Sequence, residues 1–129
     1  PAPVAEQMAA INKHFAGDSV DAILSSLDSD DSDWAAKTAQ GLRSKSPTSM
    51  KVTVRQIREG AKRDFDDCMK LEWRMVNRII KGVDFYEGTR AVVIDKDQAP
   101  VWSPASLDDV SEEDIETYFA PLESGDLDL

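Results

Sequence analysis

The residues that could carry catalysis in this sequence are few and scattered. His14 is the single histidine, which excludes a histidine pair on zinc and any triad that needs a second histidine. Its place beside Phe15, near the end of a predicted helix, favours a surface or capping role. Cys68 falls on the apolar stripe of another predicted helix and is interpreted as a small buried hydrophobe rather than a nucleophile. Side-chain chemistry alone predicts no catalytic residue.

Motifs for metal and phosphate are absent as well. The aspartates at 28, 30, 31 and 33 look like the start of a calcium loop, but the glycine and the bidentate glutamate that such a loop needs are missing. The glycines at 17, 41, 60, 82, 88 and 125 form no phosphate-cradling loop. The acidic cluster at 112–116 fits the first turn of a helix, where negative charge is favourable. We therefore expect no metal site and no tightly bound cofactor.

Charge is spread unevenly over the 129 residues, whose net charge is −10. Residues 1–40 sum to −5, residues 41–82 to +6 and residues 83–129 to −11. The overall balance argues against nucleic acid or an anionic membrane as partner. Two interpretations of the basic middle stay open: it packs against or is solvated beside the acidic flanks, or it faces an anionic ligand such as a phosphorylated cofactor.

Apolar residues recur at helical spacing along most of the chain, which predicts an all-α fold of five to seven helices joined by short loops. The first helix is predicted from Val4 to Phe15. Further helix starts are predicted from cap residues and from a proline at the first helical position, at Ser19, the 28–33 connector, Ser46-Pro47, Asp64 and Ser111. The longest helix should follow Asp64 and continue to Gly82.

The stretch between this helix and the last one is harder to assign. Asp84 and Glu87 have the spacing of a capping box for a shorter helix. Residues 91–94 (AVVI) favour a strand as readily as a helix end. An extended loop is predicted at residues 98–106, which include Pro100, Trp102 and Pro104.

Four segments in fixed order carry a family resemblance. They are residues 46–53 (SPTSMKVT), 69–75 (MKLEWRM), 84–91 (DFYEGTRA) and 94–102 (IDKDQAPVW), and the tail at 118–122 (YFAPL) adds to them. Together they resemble 3-hydroxyisobutyryl-CoA hydrolases, a branch of the enoyl-CoA hydratase/isomerase (crotonase) superfamily. The similarity is strong from residue 46 onward, and residues 1–45 resemble an acidic helical connector more loosely.

The resemblance implies a carboxy-terminal helical domain at residues 46–129, one compact unit with its connector, of an enzyme whose amino-terminal crotonase domain is missing here. In such an enzyme backbone N–H groups polarise the thioester carbonyl and an acidic residue performs the acid/base step, both outside this sequence. The implied substrate is a branched hydroxyacyl-CoA of valine breakdown, with CoA as part of the substrate. The chain alone is then expected to be inactive, and no catalytic residue is assigned to it.

Three basic residues are implied as contacts to the CoA end of such a substrate. By position, Lys96 falls near a basic residue that related enzymes place by the nucleotide phosphates. Lys51 and Arg55, one turn apart on the polar face of a predicted helix, are weaker candidates. The alternative for Lys96 is a solvated loop charge between Asp95 and Asp97.

Other functions stay open at this level. The runner-up is a non-catalytic helical interaction module, and part of an enoyl-CoA hydratase or isomerase is a third possibility. A chain that packs against a missing domain should leave an exposed apolar patch or form a homo-oligomer that hides it. The single cysteine and the start at Pro1-Ala2-Pro3, with no basic or apolar leader, lead us to expect a trimmed or excised chain in the cytoplasm, or in the mitochondrial matrix if eukaryotic.

Overall fold

The computed structural model describes residues 3–128, and all their regular structure is helical. Pro1, Ala2 and Leu129 lie outside the described residues. The helices are α1 Pro3–Glu6, α2 Met8–His14, α3 Val20–Asp28, α4 Asp33–Arg43, α5 Pro47–Gly60, α6 Phe65–Ile79, α7 Val83–Thr89, a π-helical turn Arg90–Ile94, a 3₁₀ turn Leu107–Asp109 and α8 Glu112–Phe119.

The predicted count of five to seven helices is wrong, and two local features explain the difference. The expected first helix is divided at Gln7, which sits between α1 and α2 and provides no side-chain cap. The stretch that favoured a strand or a helix end is a π-helical turn, closed by the Asp95 N–H donating to the Arg90 carbonyl at 2.8 Å. The pattern of apolar residues predicts neither the division at Gln7 nor the π-helical turn.

Cap residues set most of the other helix starts, as predicted. The hydroxyls of Ser19, Ser46 and Ser111 and the carboxylate of Asp64 each accept a backbone N–H three residues on. Pro47 occupies the first position of α5. These side chains satisfy backbone donors that the first turn of a helix leaves without partners.

The chain divides into two compact units, residues 1–45 and 46–129. In the first, α3 packs against α2 and α4. Its buried apolar side chains come mainly from one face of α3, and α4 adds small residues: Val20, Ile23, Leu24, Leu27, Ala35 and Ala39.

In the second unit α8 packs against α5 and α6. The core is formed by one residue of α5, two of α6, the residue before Ser111 and two of α8: Val52, Leu71, Met75, Val110, Ile115 and Phe119. The α6 residues Leu71 and Met75 are four apart, so they lie on one face of that helix.

The predicted capping box at Asp84 and Glu87 is wrong. Gly82 is the N-cap residue of α7 and provides no side-chain bond. Asp84 instead accepts the Ser46 hydroxyl at 2.5 Å and the Ser103 N–H at 2.8 Å. The Asp84 carboxylate therefore binds two residues that are distant in sequence, although its spacing from Glu87 indicates a local cap.

A second face of α6 is apolar but uncovered in this chain. Phe65, Trp73, Val76 and Ile80 recur at helical spacing away from Leu71 and Met75, and they are 74, 38, 45 and 41% exposed. We call these four residues the α6 stripe. No described helix is long and apolar enough to cross a membrane.

Candidate functional site

The most strongly organised polar site is built around Arg90, the first residue of the π-helical turn. Its Nε and Nη2 donate to the two carboxylate oxygens of Glu87, one turn earlier, at 2.9 and 2.8 Å. Its Nη1 donates to Asp95 at 2.7 Å and to Asp97 at 2.6 Å. Nη2 also reaches the Ala99 carbonyl at 3.3 Å. The planar guanidinium thus holds the following loop, residues 95–101, from one side.

The backbone of loop 95–101 has an unusual conformation. Lys96 and Gln98 have φ values of 57° and 56°, in the left-handed region that residues with a side chain rarely adopt. Each such residue costs on the order of 1–3 kcal/mol and persists only where its surroundings enforce it. Here the Gln98 N–H donates to the Ala91 carbonyl at 3.0 Å, and the Ala99 N–H to Asp97 Oδ1 at 2.9 Å.

The charges of this site stabilise one another. Hydrogen bonds from Arg90 and from the Val101 N–H lower the pKa of Glu87 to about 2. Arg90 and the Ala99 N–H lower the pKa of Asp97, and the three carboxylates raise that of Arg90. Glu87 and Asp97 are therefore ionised and Arg90 is charged at any pH near neutral.

Lys96 differs from its neighbours at this site. It is exposed, and it stands between Asp95 and Asp97, whose carboxylates are held by Arg90. An ammonium in this position is available to an anion from solution. None of the described residues around Arg90 is placed to act as a nucleophile, and the chemistry of the site is that of charge pairing.

Lys51 and Arg55 lie elsewhere and are engaged within the second unit. Lys51 Nζ donates to the Val110 carbonyl at 2.7 Å. Arg55 pairs with Glu59 at 2.8 Å and Glu116 at 2.6 Å, and it lies 4.6 Å above the Phe119 ring. Both side chains join α5 to the α8 region, and the structure does not bring them together with Lys96.

His14 is not a surface or capping residue, contrary to the sequence-based expectation. Its side chain is 1% exposed and contacts the Ser26 Oγ at 2.9 Å and Asp30 Oδ2 at 3.2 Å. Asp30 also accepts Lys13 Nζ at 2.6 Å. The ring lies 6.0 Å from that of Trp34, between centroids. A buried imidazole with both nitrogens bonded links α2, α3 and the loop that follows α3.

The first unit also has a shallow cavity of about 410 Å³. It is lined by residues of α3, α4 and their connection: Leu27, Asp28, Asp30, Ala36, Ala39, Gln40 and Arg43. Its charged groups are already paired, Asp28 with Arg43 at 2.5 Å and Asp30 with Lys13 at 2.6 Å. Within residues 3–128 no group of three or more His, Cys, Asp or Glu is placed to hold a metal ion.

Cys68 is half-buried, and its Sγ lies 3.6 Å from the Gly60 carbonyl. Arg90 and Glu87 are binding residues of this site that the sequence motifs do not predict. A signal was present, because Arg90 has acidic residues three before it and five and seven after it. That spacing matches no regular helix, so only the π-helical turn and the loop reversal bring all three carboxylates to one guanidinium.

Comparisons with known proteins place this geometry in a family. A family model described as enoyl-CoA hydratase/isomerase matches residues 1–119. The chain is 44% identical over 124 residues to "3-hydroxyisobutyryl-CoA hydrolase, mitochondrial" of Gallus gallus, covering 96% of this chain and 32% of that protein.

Two solved structures are similar along nearly the whole chain. A carnitinyl-CoA dehydratase from Mycobacterium thermoresistibile has a TM-score of 0.88 at 35% identity, over 97% of this chain and 36% of that one. An enoyl-CoA hydratase from Rhodobacter sphaeroides 2.4.1 has a TM-score of 0.88 at 28% identity, over 100% and 38%. The chain thus spans about a third of the length of the curated relatives it matches.

These matches also correct the predicted fold class. The sequence motifs predict the carboxy-terminal helical part of a crotonase-type protein, whereas the comparisons assign the chain to the amino-terminal region of the crotonase fold. The prediction was inferred from the order of short motifs, which gives similarity but does not itself locate a segment within a longer protein.

Proposed function

Because the chain belongs to the enoyl-CoA hydratase/isomerase family, we propose that it is part of an acyl-CoA thioester hydrolase that acts on 3-hydroxyisobutyryl-CoA in valine breakdown. The observation that supports this substrate is the 44% identity, over 124 residues, to a relative named as that hydrolase. The two similar solved structures are named as a dehydratase and a hydratase of CoA thioesters, so CoA is the part of the substrate common to all three.

In this proposal the chain contributes CoA binding and assembly rather than chemistry. Its described side chains include no arrangement of nucleophile, base and oxyanion donors, so the polarising amides and the acid/base residue belong to the rest of the enzyme. The 129-residue chain alone is inactive. The α6 stripe, exposed here, packs against the rest of the enzyme or against a second copy of it.

Lys96 is the residue proposed to meet the phosphates of CoA, because it is exposed and is not paired with either neighbouring aspartate. A contact of Lys51 or Arg55 with CoA remains a prediction from the sequence. Their N–H donors bind groups of the second unit itself. The proposed location is the mitochondrial matrix if the source is eukaryotic, and the relatives that support it are named as mitochondrial proteins.

The test is a thioesterase assay on the full gene product that contains this chain. We expect release of CoA from 3-hydroxyisobutyryl-CoA, detected as free thiol, and no release by the 129-residue chain alone. Hydration of an enoyl-CoA without hydrolysis would favour the hydratase alternative. Absence of turnover with either thioester would favour a non-catalytic interaction module, and hydrolysis by the isolated chain would contradict its proposed role.

A further inference from the structure

We propose that Arg90 is a positioning residue for anion binding: it occupies the acidic neighbours of Lys96 and fixes the loop that presents the Lys96 ammonium to the phosphates of an acyl-CoA. This inference rests on the proposed function and extends it to a residue that does not itself touch the substrate.

Two acidic neighbours compete with a ligand for the Lys96 ammonium. The side chains Glu87, Asp95 and Asp97 outnumber Arg90 and Lys96 by one charge, so the site does not attract anions through its net charge. A lysine between two aspartates would ordinarily exchange between their carboxylates. Here Arg90 Nη1 donates to one oxygen of each, at 2.7 and 2.6 Å, and Lys96 pairs with neither carboxylate. Its ammonium is left for a ligand from solution because Arg90 offsets the negative charge of the two competing carboxylates.

Arg90 also holds the backbone of the loop on both sides of Lys96 and Gln98. Lys96 and Gln98 both adopt the left-handed conformation, and the residue between them, Asp97, is bonded to Arg90. Arg90 also donates to the Ala99 carbonyl at 3.3 Å, just beyond this reversal. A guanidinium with five donors in one plane can hold this many acceptors at fixed angles, whereas an ammonium cannot. The direction in which the Lys96 side chain extends from the backbone therefore depends on Arg90.

The loop that carries Lys96 is fixed to the fold at two points. The loop follows a π-helical turn, a local feature that is frequent at functional sites. The Ala91 side chain of this turn is fully buried, and its carbonyl accepts the Gln98 N–H. The turn thus anchors the loop to the core at one point, and Arg90 anchors it at the other.

The experiment compares two substrates of the full-length enzyme: the CoA thioester and the matching pantetheine thioester, which lacks the nucleotide phosphates. Lys96→Ala should raise KM for the CoA thioester about tenfold, the effect of one lost charge-assisted hydrogen bond, and leave kcat and the pantetheine thioester unchanged. Arg90→Gln should show the same selectivity, and it should add little to Lys96→Ala in the double variant. Arg90→Lys, which keeps the charge, should reproduce part of the selective rise.

Each outcome decides one point. If wild-type enzyme turns over neither thioester, the proposed function fails and the selectivity cannot exist. If it turns over both and Lys96→Ala changes neither KM, the anion site is absent. An equal loss on both thioesters in Arg90→Gln, or full additivity in the double variant, would show a merely structural role for Arg90. Should Arg90→Gln not fold, Arg90→Lys decides: unchanged KM for the CoA thioester contradicts the proposal.

Discussion

The Ser46 hydroxyl donates to Asp84 Oδ2 at 2.5 Å, across 38 positions of sequence. The same hydroxyl oxygen accepts the Ser49 N–H at 3.1 Å as the cap of α5, and Asp84 also accepts the Ser103 N–H at 2.8 Å. One serine and one aspartate thus connect the start of α5, the first turn of α7 and the loop that follows the π-helical turn. The bond links regions of the second unit that share little apolar core.

We expect Asp84→Ala to lower the free energy of unfolding by about 1–3 kcal/mol, because Ser46 is 4% exposed and its hydroxyl would lose its acceptor in a buried place. Urea denaturation followed by circular dichroism measures the change. Asp108→Ala is the matched control, since Asp108 is exposed on a 3₁₀ turn of the same unit. Equal effects of the two substitutions would contradict a special role for the Ser46–Asp84 bond.

Local signals in the sequence were sufficient for most helix starts. Ser19, Ser46, Asp64 and Ser111 act as caps because a short polar side chain can reach a backbone N–H only three residues ahead. Such a contact depends on neighbouring residues alone. The extended stretch that contains Pro100 and Pro104 is also predictable from local sequence, because proline lacks the N–H that a helix needs.

What the sequence could not supply depends on contacts between distant residues. Asp84 and Glu87 have capping-box spacing, but their carboxylates are used by Ser46, Arg90 and Val101. His14 is buried because Ser26 and Asp30 satisfy its two nitrogens, which a lone histidine near a helix end does not reveal. The Lys96 prediction came from a family resemblance, and the partners of Arg90 became evident only from the structure.

A second prediction concerns the buried imidazole of His14. Ser26→Ala should lower the free energy of unfolding of the first unit by about 1–3 kcal/mol, because Nδ1 of a ring that is 1% exposed loses its partner at 2.9 Å. Ser25→Ala is the matched control, because Ser25 is the preceding residue of α3 and its hydroxyl is exposed. The two variants therefore make the same chemical change at an exposed and at a partly buried position. Amide hydrogen exchange in α3 reports the change for this unit. A loss of equal size in both variants would contradict the role given to His14.

A third prediction concerns acid. The pKa of Glu87 is about 2 in the folded chain against an ordinary value of 4.5, because Arg90 and the Val101 N–H bind its charged form. A lowered carboxyl pKa contributes stability above pH 4.5, and that contribution is lost as the pH falls from 4.5 through about 2. Carboxyl ¹³C NMR should give a Glu87 midpoint near the folded value, and Arg90→Gln should move the midpoint toward 4.5.

Arg43→Gln is the control for this titration, since it removes the same type of side chain from an ion pair with Asp28 in the first unit. It should leave the Glu87 midpoint unchanged. A Glu87 midpoint that stays at its wild-type value in Arg90→Gln would show that the guanidinium is not what lowers this pKa.

The last prediction compares two helical glycines. Alanine is favoured over glycine inside a helix by about 1 kcal/mol, and a Cβ at Gly41 in α4 would meet nothing within 4 Å. Gly41→Ala should therefore stabilise the first unit by about that amount.

A Cβ at Gly88 in α7 would lie 3.1 and 3.4 Å from two atoms of the Trp102 indole, so the ring must move for alanine to fit. We expect Gly88→Ala to destabilise the second unit, because displacing a half-buried indole outweighs the gain in helix propensity. Hydrogen exchange of the amides in α4 and α7 measures each effect in its own unit, and equal stabilisation by both substitutions would show that Trp102 does not require a glycine at position 88.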